Sequence, residues 1–496
     1  MRRTGGDGKI MIGTRTRIFV LYTGGTIGMA PLEAGKPGSP LVPQPLDKLL
    51  EYVPGIGDSG IELGFGSFAE PLDSSNVGPQ HWKAMARAIE EVYADYDGFV
   101  ILHGTDTMAF TASALAFMCE NLAKPVVLTG SQLPIFRPRT DARQNFVNAV
   151  YIAGWKAMDL PCIPEVVVVF ADKVIRGCRA RKVSSVAWAA FDSPNYPLLG
   201  NIGERIRIHT ALLQPPPPVD QPFRVNFELC EEVMEIGLFP GLKGSQLAGV
   251  LGLENVRGVV LRTFGAGNAP DEPEFLRAIA EALNGPEPKT MVNVTQCQEG
   301  MVEMGLYAAS SALLERGVIS GLDMTPEAAL TKLMWTLGNQ QGARIADQIQ
   351  VSQRGEQSEN LFDVRFGPGG SGETARESIE VRQSPDPRFE LTKLTRAVIR
   401  VTELGIAGAD PGEAMVVRVF LNCPPTEGAT VEDDAYCVAE FPMVWEGQPV
   451  QEACAIDLTK ARNLMGPGLL ALTVTAPAGR RVWFGGLYLA LFAQAS

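Results

Sequence analysis

The sequence predicts an α/β protein, with a large N-terminal domain on a mostly parallel sheet, a smaller α/β second domain and an additional C-terminal β-sandwich. Three observations carry this. From Arg17 onward, short apolar runs that do not alternate with polar residues are separated by helical patterns, the signature of βα units whose strands are covered on both faces. Residues 213–222 interrupt that pattern with four consecutive prolines, Pro215 to Pro218, which favour an extended, semi-rigid segment. After Gln353 the chain turns Gly- and Ser-rich and then supplies short strand-like runs between Pro, Gly and Asp turns. A chain of 496 residues has room for roughly three units. The expected boundaries are 15–212 for the first α/β domain, 213–230 for a linker, 231–355 for the second α/β domain and 384–496 for the β-sandwich.

Taken in order, the apolar run from Arg17 to Tyr22 predicts a first strand that ends in Thr23-Gly24-Gly25-Thr26. Gly98 to Leu102 predicts a second, broken by His103-Gly104-Thr105-Asp106, and a helix follows over about Met108 to Asn121 with Phe110, Ala114, Leu115 and Met118 on one face. Pro125 to Thr129 and Val166 to Phe170 complete at least four parallel strands. In the second domain, strands are expected at Gly258 to Arg262 and Thr290 to Val294, around a helix near Glu272 to Leu283. Thr325 is a natural N-cap with Pro326 at the first helical position, which starts a helix running to about Leu337. Val398 to Val401, Val416 to Leu421 and Leu469 to Val474 are strands of the β-sandwich, and Glu432-Asp433-Asp434 reads as a solvated turn rather than a calcium site.

Composition excludes several function classes. Lysine plus arginine (43) against aspartate plus glutamate (56) leaves a net charge of −13, which disfavours a nucleic-acid partner. The longest apolar stretches fall far short of the roughly 20 residues of a membrane helix, so no membrane partner is expected. The N-terminus has no apolar segment after its two arginines, and the eight cysteines contain no C-x-x-C pair. A cytoplasmic protein with reduced thiols and no metal site is the expectation. With three histidines in the chain, histidine-based hydrolysis has little material.

In a parallel sheet, ligands bind at the carboxyl ends of the strands, where both threonine-bearing turns sit. The glycine pair Gly24-Gly25 lets the backbone approach a substrate and aim amide N–H groups at a developing oxyanion, with the Thr26 hydroxyl beside it. The turn lacks the ending of a P-loop and the spacing of a dinucleotide fingerprint. Thr105 and Asp106 add a second hydroxyl next to a carboxylate. A threonine hydroxyl needs a base to take its proton, and with histidine scarce a lysine is the natural choice. Lys182, after the basic loop Arg176 to Arg181, is the candidate; a solvated basic loop is the alternative that spacing alone leaves open.

The segments YTGGTIGM (Tyr22 to Met29), GFVILHGTDTMAFTASALAFM (Gly98 to Met118), KPVVLTGSQLP (Lys124 to Pro134), LRTFGAGNAP (Leu261 to Pro270) and NVTQC (Asn293 to Cys297) closely resemble the L-asparaginases, in particular the cytoplasmic type I branch of bacteria. The resemblance spans about Arg15 to Arg354. It implies an amidohydrolase that converts L-asparagine to L-aspartate and ammonia through an acyl-enzyme on Thr26, without metal or organic cofactor. It implies that Thr105, Lys182 and Asp106 form a second triad that manages protons, and that Asp106 also holds the substrate α-amino group. By the same resemblance Ser74 grips the α-carboxylate with Asp73 alongside, and Asn268 reaches the active site of a neighbouring subunit in a homodimer or homotetramer. Asp141 and Asn145 align with loop and interface supports, and His103 with no chemical role, which leaves it to hold its turn.

The sequence also departs from the family. The loop after Thr26 commonly carries a tyrosine that contacts the nucleophile, yet Met29 to Pro40 contains none, and Lys36 stands near its place. Arg181 stands where the type I branch often has a threonine of a regulatory asparagine site, of which Arg262, Asn268 and Cys297 align with other parts. Residues from about 384 onward have no counterpart in a minimal type I enzyme and are expected to act in packing, oligomer stabilisation or shielding of a lid. The alternatives are a glutaminase or related amidase or esterase, an asparagine-binding regulator with weakened catalysis, and an amidotransferase subunit, against which the acidic charge argues.

Overall fold

A computed structural model describes residues 15–33, 36, 39, 41–44, 48–49, 51–53, 56–304, 312–339 and 345–366, and beyond them 369–372, 374–381, 394–421, 437–444, 450–455, 468–475, 481–484 and 486–493. The chain forms two compact units, Met1–Gln357 and Ser358–Ser496.

In the first unit, strands β1 (Thr16–Gly24), β2 (Ile61–Leu72), β3 (Gly98–Leu102), β4 (Val126–Thr129), β5 (Val166–Phe170), β6 (Lys173–Arg176), β7 (Gly200–Ile202) and β8 (Ile206–Ile208) form one sheet in the order β8-β7-β6-β5-β4-β3-β1-β2. The five from β5 to β2 are parallel and the edge from β6 to β8 is antiparallel. Successive residues of the inner parallel strands β1, β3, β4 and β5 point to opposite faces, and both faces are buried, whereas the edge strand β2 is largely half-buried or exposed. Phe19, Leu21, Phe99, Ile101, Leu128 and Val168 pack under helices α1 (Pro79–Val92) and α2 (Met108–Met118). Ile18, Val20, Val100, Leu102, Val127 and Val167 pack under α3 (Ala142–Ala153). Two apolar faces explain why the strands read as unbroken hydrophobic runs.

Helix α2 departs from the sequence expectation in two ways. Every residue from Met108 to Met118 except Phe110 is buried, so it has no polar face, because it is also covered by the second half of the unit, where Phe117 stacks on Trp335 at 6.0 Å. It also ends at Met118: Cys119–Glu120 pair as a short antiparallel strand with Arg224–Val225, and Asn121 takes φ 57°. Part of the linker is therefore docked on the first sheet's domain. The Phe223 ring stacks on Tyr93 at 3.8 Å, and the Gln214 amide donates to Glu165 at 2.6 Å.

The second half of the unit holds a smaller parallel sheet, β9 (Val233–Gly237), β10 (Gly258–Thr263), β11 (Thr290–Thr295) and β12 (Ile319–Ser320), with helices α4 (Gly244–Leu251), α5 (Pro273–Asn284) and α6 (Pro326–Gly338). Thr325 caps α6 as expected, its hydroxyl accepting from the Ala328 amide at 3.1 Å, with Pro326 in the first turn. Lys332 of α6 is fully buried and holds the end of the unit. Its ammonium pairs with Glu356 at 2.5 Å and donates to the Ile349 and Val351 carbonyls at 2.8 and 2.7 Å.

The second unit is antiparallel throughout its described pairings. One sheet includes Glu359–Phe366, Gly486–Ala493, Leu394–Ala407, Arg481–Phe484, Gly369–Gly372 and Val450–Ala455; another joins Thr374–Val381, Gly468–Thr475, Ala414–Leu421 and Cys437–Val444. Glu432-Asp433-Asp434 lies outside the described residues.

Candidate active site

The strand order of the parallel part, β5-β4-β3-β1-β2, reverses direction between β1 and β3, which opens a crevice at their carboxyl ends. Both threonine turns lie there, and their glycines explain how they fit. Gly24 and Gly25 take φ of 128° and 86°, conformations that L side chains rarely adopt. A Cβ on Gly25 would stand 2.4 Å from the Gly104 nitrogen, and one on Gly24 would stand 2.1 Å from the Leu72 oxygen. A Cβ on Gly104 would in turn meet the Ser74 hydroxyl at 2.5 Å. The ends of β1, β2 and β3 thus touch backbone to backbone, which bulkier residues would prevent.

Thr26, half-buried, opens a single 3-10 turn, Thr26–Gly28. Beneath it the Tyr22 ring fills the space where Gly28 lacks a side chain, its hydroxyl 2.1 Å from where a Cβ would be. That hydroxyl is buried with no hydrogen-bond partner among the described residues, and burial pushes its pKa up to about 12. The sequence offered no sign of this contact, since Tyr22 reads as an ordinary strand residue.

At the end of β3, Thr105 is buried and Asp106 is exposed. Lys182 reaches both: its ammonium donates to Thr105 Oγ1 at 2.9 Å and to Asp106 Oδ1 at 2.6 Å. Its side chain is 19% exposed against 65% for Asp106, so the carboxylate opens to solvent while the amine points inward. A solvated basic loop is excluded by this geometry. Lys182 sits on the short strand Arg181–Lys182, paired with Phe191–Asp192, directly after the turn Gly177–Arg179. The turn is anchored by Arg179, 1% exposed, which pairs with Asp323 at 2.9 Å and donates to the Gly355 carbonyl at 2.7 Å.

Ser74 is buried at the end of β2; its hydroxyl accepts from the Asp106 amide at 3.3 Å, and its carbonyl accepts from the Thr107 hydroxyl at 2.7 Å. Asp73 is exposed, and hydrogen bonds from the Ser75 amide and hydroxyl, at 2.9 and 2.8 Å, hold its carboxyl below the usual range. The loop after β4 is braced by Asp141, which accepts from the Gln132 and Leu133 amides, and by Asn145, which donates to the Gly130 carbonyl at 2.9 Å.

Asn268 stands elsewhere, in the loop after β10, bridged through its backbone to Phe264. Its side-chain oxygen is buried without a partner, and no side-chain hydrogen bond joins it to Ser74, Thr105, Asp106 or Lys182 among the described residues. Lys36 pairs with Glu33 of its own loop at 2.8 Å, both exposed. Arg262 pairs with Glu235 at 2.9 Å, and burial raises the pKa of nearby Glu327. No group of three or more His, Cys, Asp or Glu that could hold a metal occurs among the described residues.

Two family matches tile the first unit: residues 17–214 match "Asparaginase, N-terminal", and residues 232–349 match "Glutaminase/Asparaginase C-terminal domain". The chain belongs to the asparaginase family. It is 40% identical over 326 residues to the L-asparaginase 1 of Escherichia coli K12, covering 65% of this chain and 92% of that one. It is 38% identical over 434 residues to the 60 kDa lysophospholipase of Homo sapiens, covering 83% of this chain and 73% of that one. The solved thermostable L-asparaginase of Thermococcus kodakarensis superposes with a TM-score of 0.62 at 34% identity, over 69% of this chain and 99% of that one. As a member of this family the protein is an enzyme of the asparaginase-type amidohydrolase class. No described helix is long and apolar enough to cross a membrane.

Proposed function

We propose that this asparaginase hydrolyses L-asparagine to L-aspartate and ammonia, with Thr26 as nucleophile. The observation that carries the reading is the Lys182–Thr105–Asp106 cluster at 2.9 and 2.6 Å, set against the Gly24-Gly25 turn that presents Thr26. Thr26 Oγ bonds to the side-chain carbonyl carbon as its proton passes by way of Thr105 to Lys182 acting as the free amine, and glycine-turn amides face the oxyanion. The C–N bond then breaks, and ammonia departs with a proton delivered through Thr105 and Lys182. Water adds to the resulting ester and releases aspartate, returning the proton to Thr26. Asp106, with its open carboxylate, takes the substrate α-amino group, while Ser74 with Asp73 alongside takes the α-carboxylate.

Asn268 completes the site from a neighbouring subunit in a homodimer or homotetramer, for which its side-chain oxygen, buried without a partner within this chain, turns outward on assembly. The first α/β domain, linker and second α/β domain follow the limits 15–212, 213–230 and 231–355. The antiparallel C-terminal unit is a β-sandwich. From Val416 to Val419, Val417 and Val419 are buried while Val416 is exposed and Arg418 pairs with Glu440, the pattern of a strand covered on one face; it breaks at the register shift before Phe420, which is also buried.

The test is ammonia release from L-asparagine and, separately, L-glutamine by wild type and Thr26→Ala. Turnover of asparagine that vanishes in the variant is the expected result. Equal turnover of glutamine would place the protein among the glutaminases, since one methylene is worth only about 1–3 kcal/mol of discrimination. A folded wild type that releases no ammonia would overturn the reading in favour of an asparagine-binding regulator.

A further inference from the structure

Between α1, α2 and the end of β3 lies a buried chain of polar groups that the proposed chemistry does not use. His103 is fully buried, its Nδ1 2.6 Å from the Gly104 carbonyl and its Nε2 3.0 Å from Thr111 Oγ1. Thr111 is also fully buried, and its hydroxyl lies 3.1 Å from Trp82 Nε1. Chemistry fixes the direction of each bond. A carbonyl oxygen only accepts, so Nδ1 carries the ring proton. A neutral ring then presents a bare Nε2, to which the Thr111 hydroxyl donates. The indole N–H only donates, so it gives its hydrogen to a lone pair of the Thr111 hydroxyl oxygen. Burial favours the neutral ring, lowering the His103 pKa to about 4.

The last group in this chain is the Gly104 carbonyl, in the peptide that joins Gly104 to Thr105. Gly104 is wedged between Gly25 and Ser74, so a rotation of this peptide would shift Thr105 relative to Lys182 and press on the Thr26 turn. We propose that Trp82, Thr111 and His103 form a directional hydrogen-bond relay that locks His103 in the Nδ1-protonated tautomer and so positions Thr105 for proton transfer. His103 and Thr111 are positioning residues in this account, since neither contacts the reacting atoms. The inference rests on the reading of Thr105 and Lys182 as the proton-managing pair.

The chain has only three histidines, His81, His103 and His209, so their rings can be resolved by NMR in the full-length protein with isotope-labelled histidine. The wild-type spectrum should show His103 protonated at Nδ1 and bare at Nε2. Thr111→Val removes the donor to Nε2; the Gly104, Thr105 and Asp106 amide signals should move, and kcat for ammonia release should fall about tenfold or more with KM little changed. Thr111→Ser, which keeps the hydroxyl, should restore both. As a second pair, His103→Asn keeps an N–H near the Nδ1 position and His103→Gln places one near Nε2, so the asparagine variant should retain more kcat. An Nε2-protonated wild type, unmoved amides in Thr111→Val, or a variant that melts earlier with kcat unchanged would each overturn the relay. A wild type with the expected tautomer that releases no ammonia would instead count against the amidohydrolase reading, and the amide signals would still decide the positioning.

Discussion

Replacing Lys332 by methionine tests how the first unit is closed. The Lys332 and Glu356 side chains are both fully buried and in contact, and Glu356 also accepts from the Gln353 and Arg354 amides at 3.0 and 2.7 Å. Lys332 holds Glu356 well below its ordinary pKa against the opposing effect of burial. Methionine keeps much of the volume but leaves a buried carboxylate without its cation, a change that costs about 3–5 kcal/mol. In a unit that runs to Gln357, at about 2.1 cal/mol/K per residue, that is a fall in Tm of roughly 4–7 °C. Thermal unfolding of the intact protein measures it directly. The double variant Lys332→Met, Glu356→Gln removes the orphan charge while keeping an acceptor for the two amides, and it should recover about half of the loss. A single variant within about 1 kcal/mol of wild type, or a double variant no more stable than the single, would refute the reasoning.

Three further outcomes follow from the site. Gly25→Ala forces a side chain onto a φ of 86° and against Gly104, so kcat should collapse and Tm fall, whereas Gly203→Ala, where a Cβ meets nothing within 4 Å, should match wild type in both assays. Lys182→Met should lower kcat by about 10²- to 10⁴-fold in steady-state ammonia release. For acid stability, the His103 pKa is depressed from 6.5 to about 4 in the fold, so the unfolded chain binds a proton that the folded chain refuses. That contribution is complete above pH 6.5 and is lost on acidification toward pH 4, about 3 kcal/mol in all. Urea midpoints at neutral and acid pH should show it, with a shallower dependence in His103→Asn.

Four of the five parallel strands of the large sheet were legible to within a few residues because strands buried on both faces leave uninterrupted apolar runs; the edge strand Ile61–Leu72, largely half-buried or exposed, leaves no such run and was not read. Gly98–Leu102 and Val166–Phe170 appear as read. The capped helix from Pro326 was legible because its signals, Thr325 and Pro326, are local. The threonine turns were legible as turns, and Lys182 became more than a basic-loop residue through its neighbours in the family pattern. What stayed hidden depends on contacts distant in sequence. Arg179 reaches Gly355 across 176 positions, and Trp82 meets Thr111 across 29, which no periodicity reports. Helix α2 was misjudged as one-faced because a second layer, with Trp335, covers the side that a two-layer reading leaves to solvent.

The central claim is that Thr26, and not Thr105, carries the acyl group. The most direct measurement is acid quenching of the wild-type enzyme during turnover of L-asparagine, followed by mass mapping of its peptides. The account predicts an aspartyl adduct on the peptide containing Thr26, absent in Thr26→Ala. Turnover with the adduct on Thr105, or undiminished turnover in Thr26→Ala, would contradict it.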